Sequence, residues 1–344
     1  MGEVMSKKLL FFIFFFLSLS AFAEKQEEIT PPAGPFIKGG ADLFVTGEFL
    51  WWKGIQERLN YAITGVLVQP GTTLSTSGKV YKVHYPWNPG FRVGIGFYPG
   101  HDGWDLYARY TWYHSHSTDR ASNRSGNMVS IGSYIGGLTH IQINGITSAR
   151  SDWDLHYNVV DLELGRNFFL SKFLKTRLFA GLRGTFNSQN WNTHYHSNEI
   201  IFGSNGPLPG IIQTKQDQDT WGVGIRMGGN LTWTFYKAWS LVSDASFTGI
   251  WVEYDNHRRD ILSQTGVGST TTVNIKSDPN STLFNIDLML GFKGEWWFYD
   301  DTYHLSAQAG WENQLWLHYG NFIFINGNGD LSFSGLTAKL RFDF

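Results

Sequence analysis

The chain of 344 residues has a net charge of −2 and no cysteine. These facts argue against nucleic acid as its main partner and exclude a disulfide framework, a thiolate metal site and a cysteine nucleophile. Charged residues reach only 16% while aromatics reach 17%, whereas a soluble domain carries about a quarter charged residues. Mean hydropathy is still slightly negative, too polar for a bundle of membrane helices; a transmembrane β-barrel reconciles the two, because only alternate residues of each strand meet lipid.

The N-terminus reads as an export signal. Lys7 and Lys8 precede the apolar run LLFFIFFFLSL, and Ala21-Phe22-Ala23 supplies a small-x-small cleavage site. The run is shorter than the ~20 residues a spanning helix needs. Residues 1–23 are therefore expected to be removed, with Ala21 and Ala23 setting the cut. Residues 24–40, with their PPAGP cluster, read as a periplasmic linker.

From residue 41 onward, segments of 10–16 residues alternate with period two. GFRVGIGFY sets Phe91, Val93, Ile95 and Phe97 against Arg92 and two glycines. WDLYARYTWY sets Leu106, Ala108, Tyr110 and Trp112 against Asp105 and Arg109. Similar patterns place Arg177, Arg183, Arg226, Asp287, Lys293, Glu295 and Glu312 opposite apolar faces. In WDLHYNVVDLELG the phase changes near Val159-Val160, which suggests a bulge. In SLVSDASFTGIWV the apolar face is ambiguous.

The pattern predicts an all-β, antiparallel, up-and-down transmembrane barrel over 41–344. About ten strands are expected, at roughly 41–53, 89–98, 104–114, 153–166, 175–187, 220–235, 239–254, 283–298, 303–318 and 334–344. Twelve result if LNYAIT and KVYKVHY form a further pair. Short periplasmic turns alternate with long extracellular loops at 54–88, 115–152, 188–219, 255–282 and 319–333. Aromatics cluster at both strand ends, as interfacial girdles do. The last strand puts Leu336, Ala338, Leu340, Phe342 and Phe344 on one face. Its terminal aromatic resembles the signal read by the outer-membrane assembly machinery, with Leu336, Leu340, Phe342 and Phe344 as the expected signal residues.

Several strings give a resemblance to a known family. They are GEFLWWK with LNYA at 47–62, PGFRVGIGFYPGHDGWDLYARYTWYHS at 89–115, LHYNVVDLELGRNFFLS at 155–171, LFAGLRGTF at 178–186 and AGWENQLW at 309–316. From about residue 43 to 344 the chain resembles the Legionella-type major outer membrane proteins, a pore-forming family also expanded in environmental relatives of Chlamydia. The resemblance implies an abundant surface protein that forms a pore. Disulfide cross-linking, used by some relatives, is absent here.

A Lys or Arg facing lipid at mid-depth costs ~2–4 kcal/mol, so the charges must point inward. The expected lumen-lining set is Glu48, Arg92, Asp105, Arg109, Arg177, Arg183, Arg226, Asp287, Lys293, Glu295 and Glu312, with Lys339 and Arg341 beside them. Two outcomes are open: rings of charge that filter small hydrophilic solutes, or cross-pairing that plugs a barrel only slightly wider than about eight strands. The porin-like outcome is the expectation, and a non-conducting structural or adhesive barrel is the alternative. Asp161 and Glu163 share a face and read as an ion-pair network with Arg166 rather than an acid–base pair. His114-x-His116 and His194-x-His196 read as solvated loop histidines. His156, His304 and His318 lie on strands without a nucleophile motif, so no enzyme and no cofactor are expected. Expected partners are outer-membrane lipid and lipopolysaccharide, periplasmic chaperones and the barrel-assembly machinery, small solutes, further copies of the chain and a host surface.

Overall fold

The computed structural model describes residues 33–35, 37, 39–65, 78–100, 103–123, 128–133, 142–201, 207–323 and 329–344. The export signal, with Ala21 and Ala23, and the first part of the linker lie outside these residues. The described chain is all-β. In order come β1 (Leu43–Gln56), β2 (Asn60–Thr64), β3 (Val80–Lys82), β4 (Asn88–Phe97), β5 (Trp104–Ser122), β6 (Met128–Ser130) and β7 (Gln142–Ser171). They continue with β8 (Leu174–Ile201), β9 (Leu208–Tyr236), β10 (Trp239–Gln264), β11 (Gly268–Ser277), β12 (Asn280–Phe298), β13 (Tyr303–Gly320) and β14 (Gly329–Asp343).

Fourteen strands thus replace the expected ten. The closed ring uses the ten long strands, in the order β1-β4-β5-β7-β8-β9-β10-β12-β13-β14 and back to β1, all antiparallel. Of the extra four, β2, β3 and β6 hold only 5, 3 and 3 residues, and β11 holds 10, as many as β4. LNYAIT and KVYKVHY do contribute paired strands, β2 and β3, but β2's other neighbour is β6, so the pair stays out of the ring. β11 continues the line of β12 along β10 after the break at Asp278-Pro279. The barrel closes through β1 and β14, from Phe44↔Asp343 to Gln56↔Leu331. Phe344 extends the seam, donating its N–H to Leu43 O at 3.0 Å and accepting from Ala41 N at 3.1 Å. Closure leaves no free edge in lipid, where unpaired backbone groups would cost several kcal/mol each.

The strands run much further than their lipid-spanning parts. β7, β8 and β9 hold 30, 28 and 29 residues, against the roughly 9–11 needed to cross a bilayer. Much of the sequence expected in loops 115–152, 188–219 and 255–282 is therefore paired strand. The periplasmic turns are short, as expected, at 98–103, 172–173, 237–238 and 299–302.

One physical change explains both the long strands and the two irregular patterns. From the periplasmic turns to a level marked by Trp51, Trp112, Trp221, Trp251 and Trp311, the outward face is apolar, for example Ile95, Val160, Ile225, Leu290 and Leu340. Beyond that level the outward residues become polar, as in His116, Asp154, Asn190, Lys215 and Arg259. On β7 the inward residues there become apolar, as in Trp153, Leu155, Tyr157 and Val159, while β8 and β9 keep buried uncharged polar residues inside, such as Gln189 and Gln218. Lower down the same inward face carries Asp161 and Glu163, both buried. The ladder runs unshifted from His156↔Ser188 to Val159↔Thr185, so there is no bulge at Val159-Val160. The phase change in sequence is the point where β7 leaves lipid for water, and the polarity of the two faces exchanges while the backbone alternation continues. In β10 the same exchange leaves Phe247 and Trp251 outside and Ile250 and Val252 inside. The barrel has two storeys: a lower one built for lipid and an upper one built like a soluble β-domain.

Candidate functional site

The candidate site is the barrel interior, because alternation brings the charged residues of every wall there. All eleven residues expected to line the lumen face inward. They do not present free charges to an open channel; they pair. Arg92 donates to Glu48 at 2.6 Å and to Glu312 at 2.9 Å. Arg177 donates to Asp105 at 2.6 Å and Glu163 at 2.9 Å. Arg109 meets Asp161 at 2.8 Å. Arg183 binds Asp161 at 2.6 Å and Asp287 at 3.0 Å, and its other arm reaches Asn285. Arg226 joins Glu163 at 2.5 Å to Asp287 at 3.3 Å. Nearer the periplasm, Lys293 pairs with Glu295 at 2.8 Å, and His304 lies between Glu295 at 3.4 Å and Asp343 at 2.7 Å. Lys339 reaches Glu48 at 3.3 Å, and Arg341 reaches Asp343 at 2.5 Å.

Asp161 and Glu163 form the hub of this network. Their partners are Arg109, Arg177, Arg183 and Arg226, and not Arg166, which lies over the Trp104 ring. The sequence places the two carboxylates on one face. It does not say which arginines of β5, β8 and β9 arrive opposite them, because that depends on register. Asp244, Asp343 and His304 also join the interior and were absent from the expected set. Asp343 could have been found from its alternation with Arg341.

Several bonds cross the lumen between strands that are not neighbours. Arg92 on β4 reaches Glu312 on β13, and Arg183 on β8 reaches Asp287 on β12. Above this layer the aromatic residues take over. The Tyr157 and Phe333 rings, from β7 and β14, lie 4.6 Å apart across the barrel. Tyr157 also contacts Trp316 of β13 at 6.1 Å, and Phe333 contacts Trp52 of β1 at 5.7 Å and Tyr113 of β5 at 5.4 Å. Tyr319 of β13 is held from the far wall by Asn187 of β8 at 2.8 Å and Thr220 of β9 at 2.7 Å. Gln189 of β8 donates to Gln56 of β1 at 3.2 Å. Trp52, Tyr113, Trp153, Trp316 and Tyr319 are all 0% exposed. Inward side chains of a water-filled channel would be wetted; these are packed as in a protein core.

Beneath the aromatic layer lies a polar cavity of about 180 Å³. Its walls include Arg92, Arg226, Asp287, Glu312, Lys339 and, at the periplasmic end, linker residues Ala33 and Pro35. The space suits a few waters or a small polar solute. His318 stands apart from it, with its N–H bonded to Asp330.

The family described as Legionella pneumophila major outer membrane protein precursor matches residues 41–344. The chain belongs to this family. As a Legionella-type major outer membrane protein it is a β-barrel of the bacterial outer membrane. No curated protein matches the sequence. Among solved structures, the outer membrane protease OmpT from Escherichia coli is 14% identical, with 89% of this chain and 98% of that one covered and a TM-score of 0.37. A Pseudomonas aeruginosa FadL homologue is 10% identical over 88% and 89% of the two chains, with a TM-score of 0.23. The Pseudomonas putida toluene transporter TodX is 9% identical over 91% and 93%, with a TM-score of 0.24.

Proposed function

We propose that this major outer membrane protein is a structural surface barrel that is closed to solutes in its resting state and carries its upper storey outside the cell. The observation behind this reading is the set of contacts between opposite walls, above all Tyr157 with Phe333 and Arg183 with Asp287. A ten-strand ring leaves little lumen once large side chains enter from both sides. The family's description as a major outer membrane protein fits a wall component present in many copies. Its lower storey would be solvated by lipid, with lipopolysaccharide around the polar exterior of the upper storey.

The porin-like reading has one observation in its favour, the charged cavity beneath the aromatic layer. Passive diffusion of small hydrophilic solutes would require that layer to part. Purified full-length mature protein in a planar bilayer separates the two readings. A closed barrel gives no discrete conductance steps at high salt and high protein load. Stepwise conductance proportional to salt would overturn this proposal and restore the pore.

A further inference from the structure

The two histidine pairs of the sequence sit in unlike surroundings. Both pairs face outward on ladder strands, above the Trp112 level, and not in solvated loops. On β5 and β7, His114 is directly opposite His156, and on the next same-face rung His116 is opposite Asp154. The His114 and His156 rings lie 4.2 Å apart. His116 Nδ1 meets Asp154 Oδ1 at 2.7 Å. The four side chains form a two-by-two patch on one face of the sheet. Directly opposite residues are about 5 Å apart and diagonal ones about 7–8 Å.

One feature of the patch points to a ligand. His114 Nδ1 is buried and has no hydrogen-bond partner, a condition that costs free energy unless something satisfies it. Imidazoles two apart on one strand, with a third across the ladder and a carboxylate beside it, are a donor set suited to late first-row dications.

We propose that His114, His156, His116 and Asp154 bind one transition-metal dication on the outer surface of the barrel, just above the aromatic belt. As the side chains stand, among the described residues no three histidine or carboxylate groups already converge on one point. Closure needs His116 to turn from Asp154 toward the His114–His156 pair. Its side chain is 56% exposed, so the turn is an ordinary rotamer change. The His194-x-His196 pair is an internal control. His194 lies opposite Arg150 and Gln213 in the ladder, with no second histidine across from it and a cation beside it.

The test uses untagged full-length mature protein folded in detergent micelles. Co²⁺ is titrated while its visible absorption is followed, and Zn²⁺ is then used to displace it. One equivalent of Co²⁺ is expected, with an absorption typical of nitrogen ligands. His114→Gln and His156→Gln should each weaken binding at least about tenfold, equivalent to 1.4 kcal/mol. His194→Gln should leave it unchanged. Heat-dependent gel mobility verifies that each variant is folded. Absence of saturable binding by the wild-type protein overturns the proposal. So does binding that survives both substitutions, or that is lost with His194→Gln instead.

Discussion

Removing the Arg183 side chain is the most informative single change to the interior. The guanidinium binds Asp161 through two arms at 2.6 and 3.0 Å and Asp287 at 3.0 Å, and it lies 5.7 Å from the Trp316 ring centroid. It is only 2% exposed. In Arg183→Met the volume is largely kept while two carboxylates lose a partner. Breaking a buried pair on one side costs about 3–5 kcal/mol, because the remaining charge is left uncompensated. Here Asp161 keeps Arg109 at 2.8 Å, and Asp287 keeps Arg226 at 3.3 Å and Ser246 at 3.0 Å. The loss should therefore fall near the lower limit, about 3 kcal/mol. Urea titration of the folded barrel in lipid vesicles measures it, as a shift of midpoint at constant slope. In a water-filled lumen the same pair would be solvent-screened and worth below about 1 kcal/mol. A measured loss below that level refutes the dry-interior argument. Asp287→Leu combined with Arg183→Met should cost less than the sum of the single changes, by about 0.5–3 kcal/mol.

Other expectations follow from the strand packing and the outer surface. A Cβ on Gly181 would stand 1.9 Å from Leu162 O, whereas one on Gly47 would meet nothing within 4 Å. Gly181→Ala should lower the urea midpoint clearly while Gly47→Ala should not; equal effects would mean that the β7–β8 spacing is looser than described. Burial opposes the charge on Asp152, but hydrogen bonds from Arg150 and Thr118 outweigh it and hold the carboxyl pKa below the usual range. Its stabilising contribution is then full above the unfolded pKa near 3.8 and fades as pH falls through the lower folded value. Asp152→Asn should accordingly destabilise the barrel at pH 7 and make no difference in strong acid; a penalty that persists in acid contradicts this sign. Deleting Phe344 removes three backbone bonds at the seam, one from its N–H to Leu43 and two to its carbonyl from Ala41 and Leu43. It should slow insertion in cells more than unassisted folding in detergent micelles, and equal slowing would locate its role in the ladder and not in recognition by the assembly machinery.

The barrel class was legible because lipid forces apolar residues to every second position, as at Phe91, Val93, Ile95 and Phe97. The reach of the strands was not. The expected boundaries follow the apolar-out pattern and stop near Trp112, Trp153 and Trp221, where that pattern ends. The backbone continues well beyond them, with its faces exchanged. Tyr157 and Val159 look like lipid-facing residues in sequence, yet they are buried inside, which produced the mistaken bulge. The inward charges were identifiable one by one from the cost of placing them in lipid. Their pairing across the lumen was not, since contacts such as Arg92 with Glu312 join residues 220 positions apart. His156 could not be connected with His114 for the same reason: only the β5–β7 register brings them together.

The absence of native cysteine permits a direct test of the closed interior. Single substitutions Thr185→Cys and Thr248→Cys place thiols at inward positions that are 0% exposed, and Thr270→Cys places one on the exposed β11. Each folded protein is treated with a charged methanethiosulfonate reagent from both sides of a vesicle membrane. Thr270→Cys should react rapidly, and the two interior thiols should stay unmodified until the barrel is unfolded. Rapid modification of Cys at 185 and 248 in the folded protein would mean that water and ions reach the middle of the lumen, contrary to the walls meeting there.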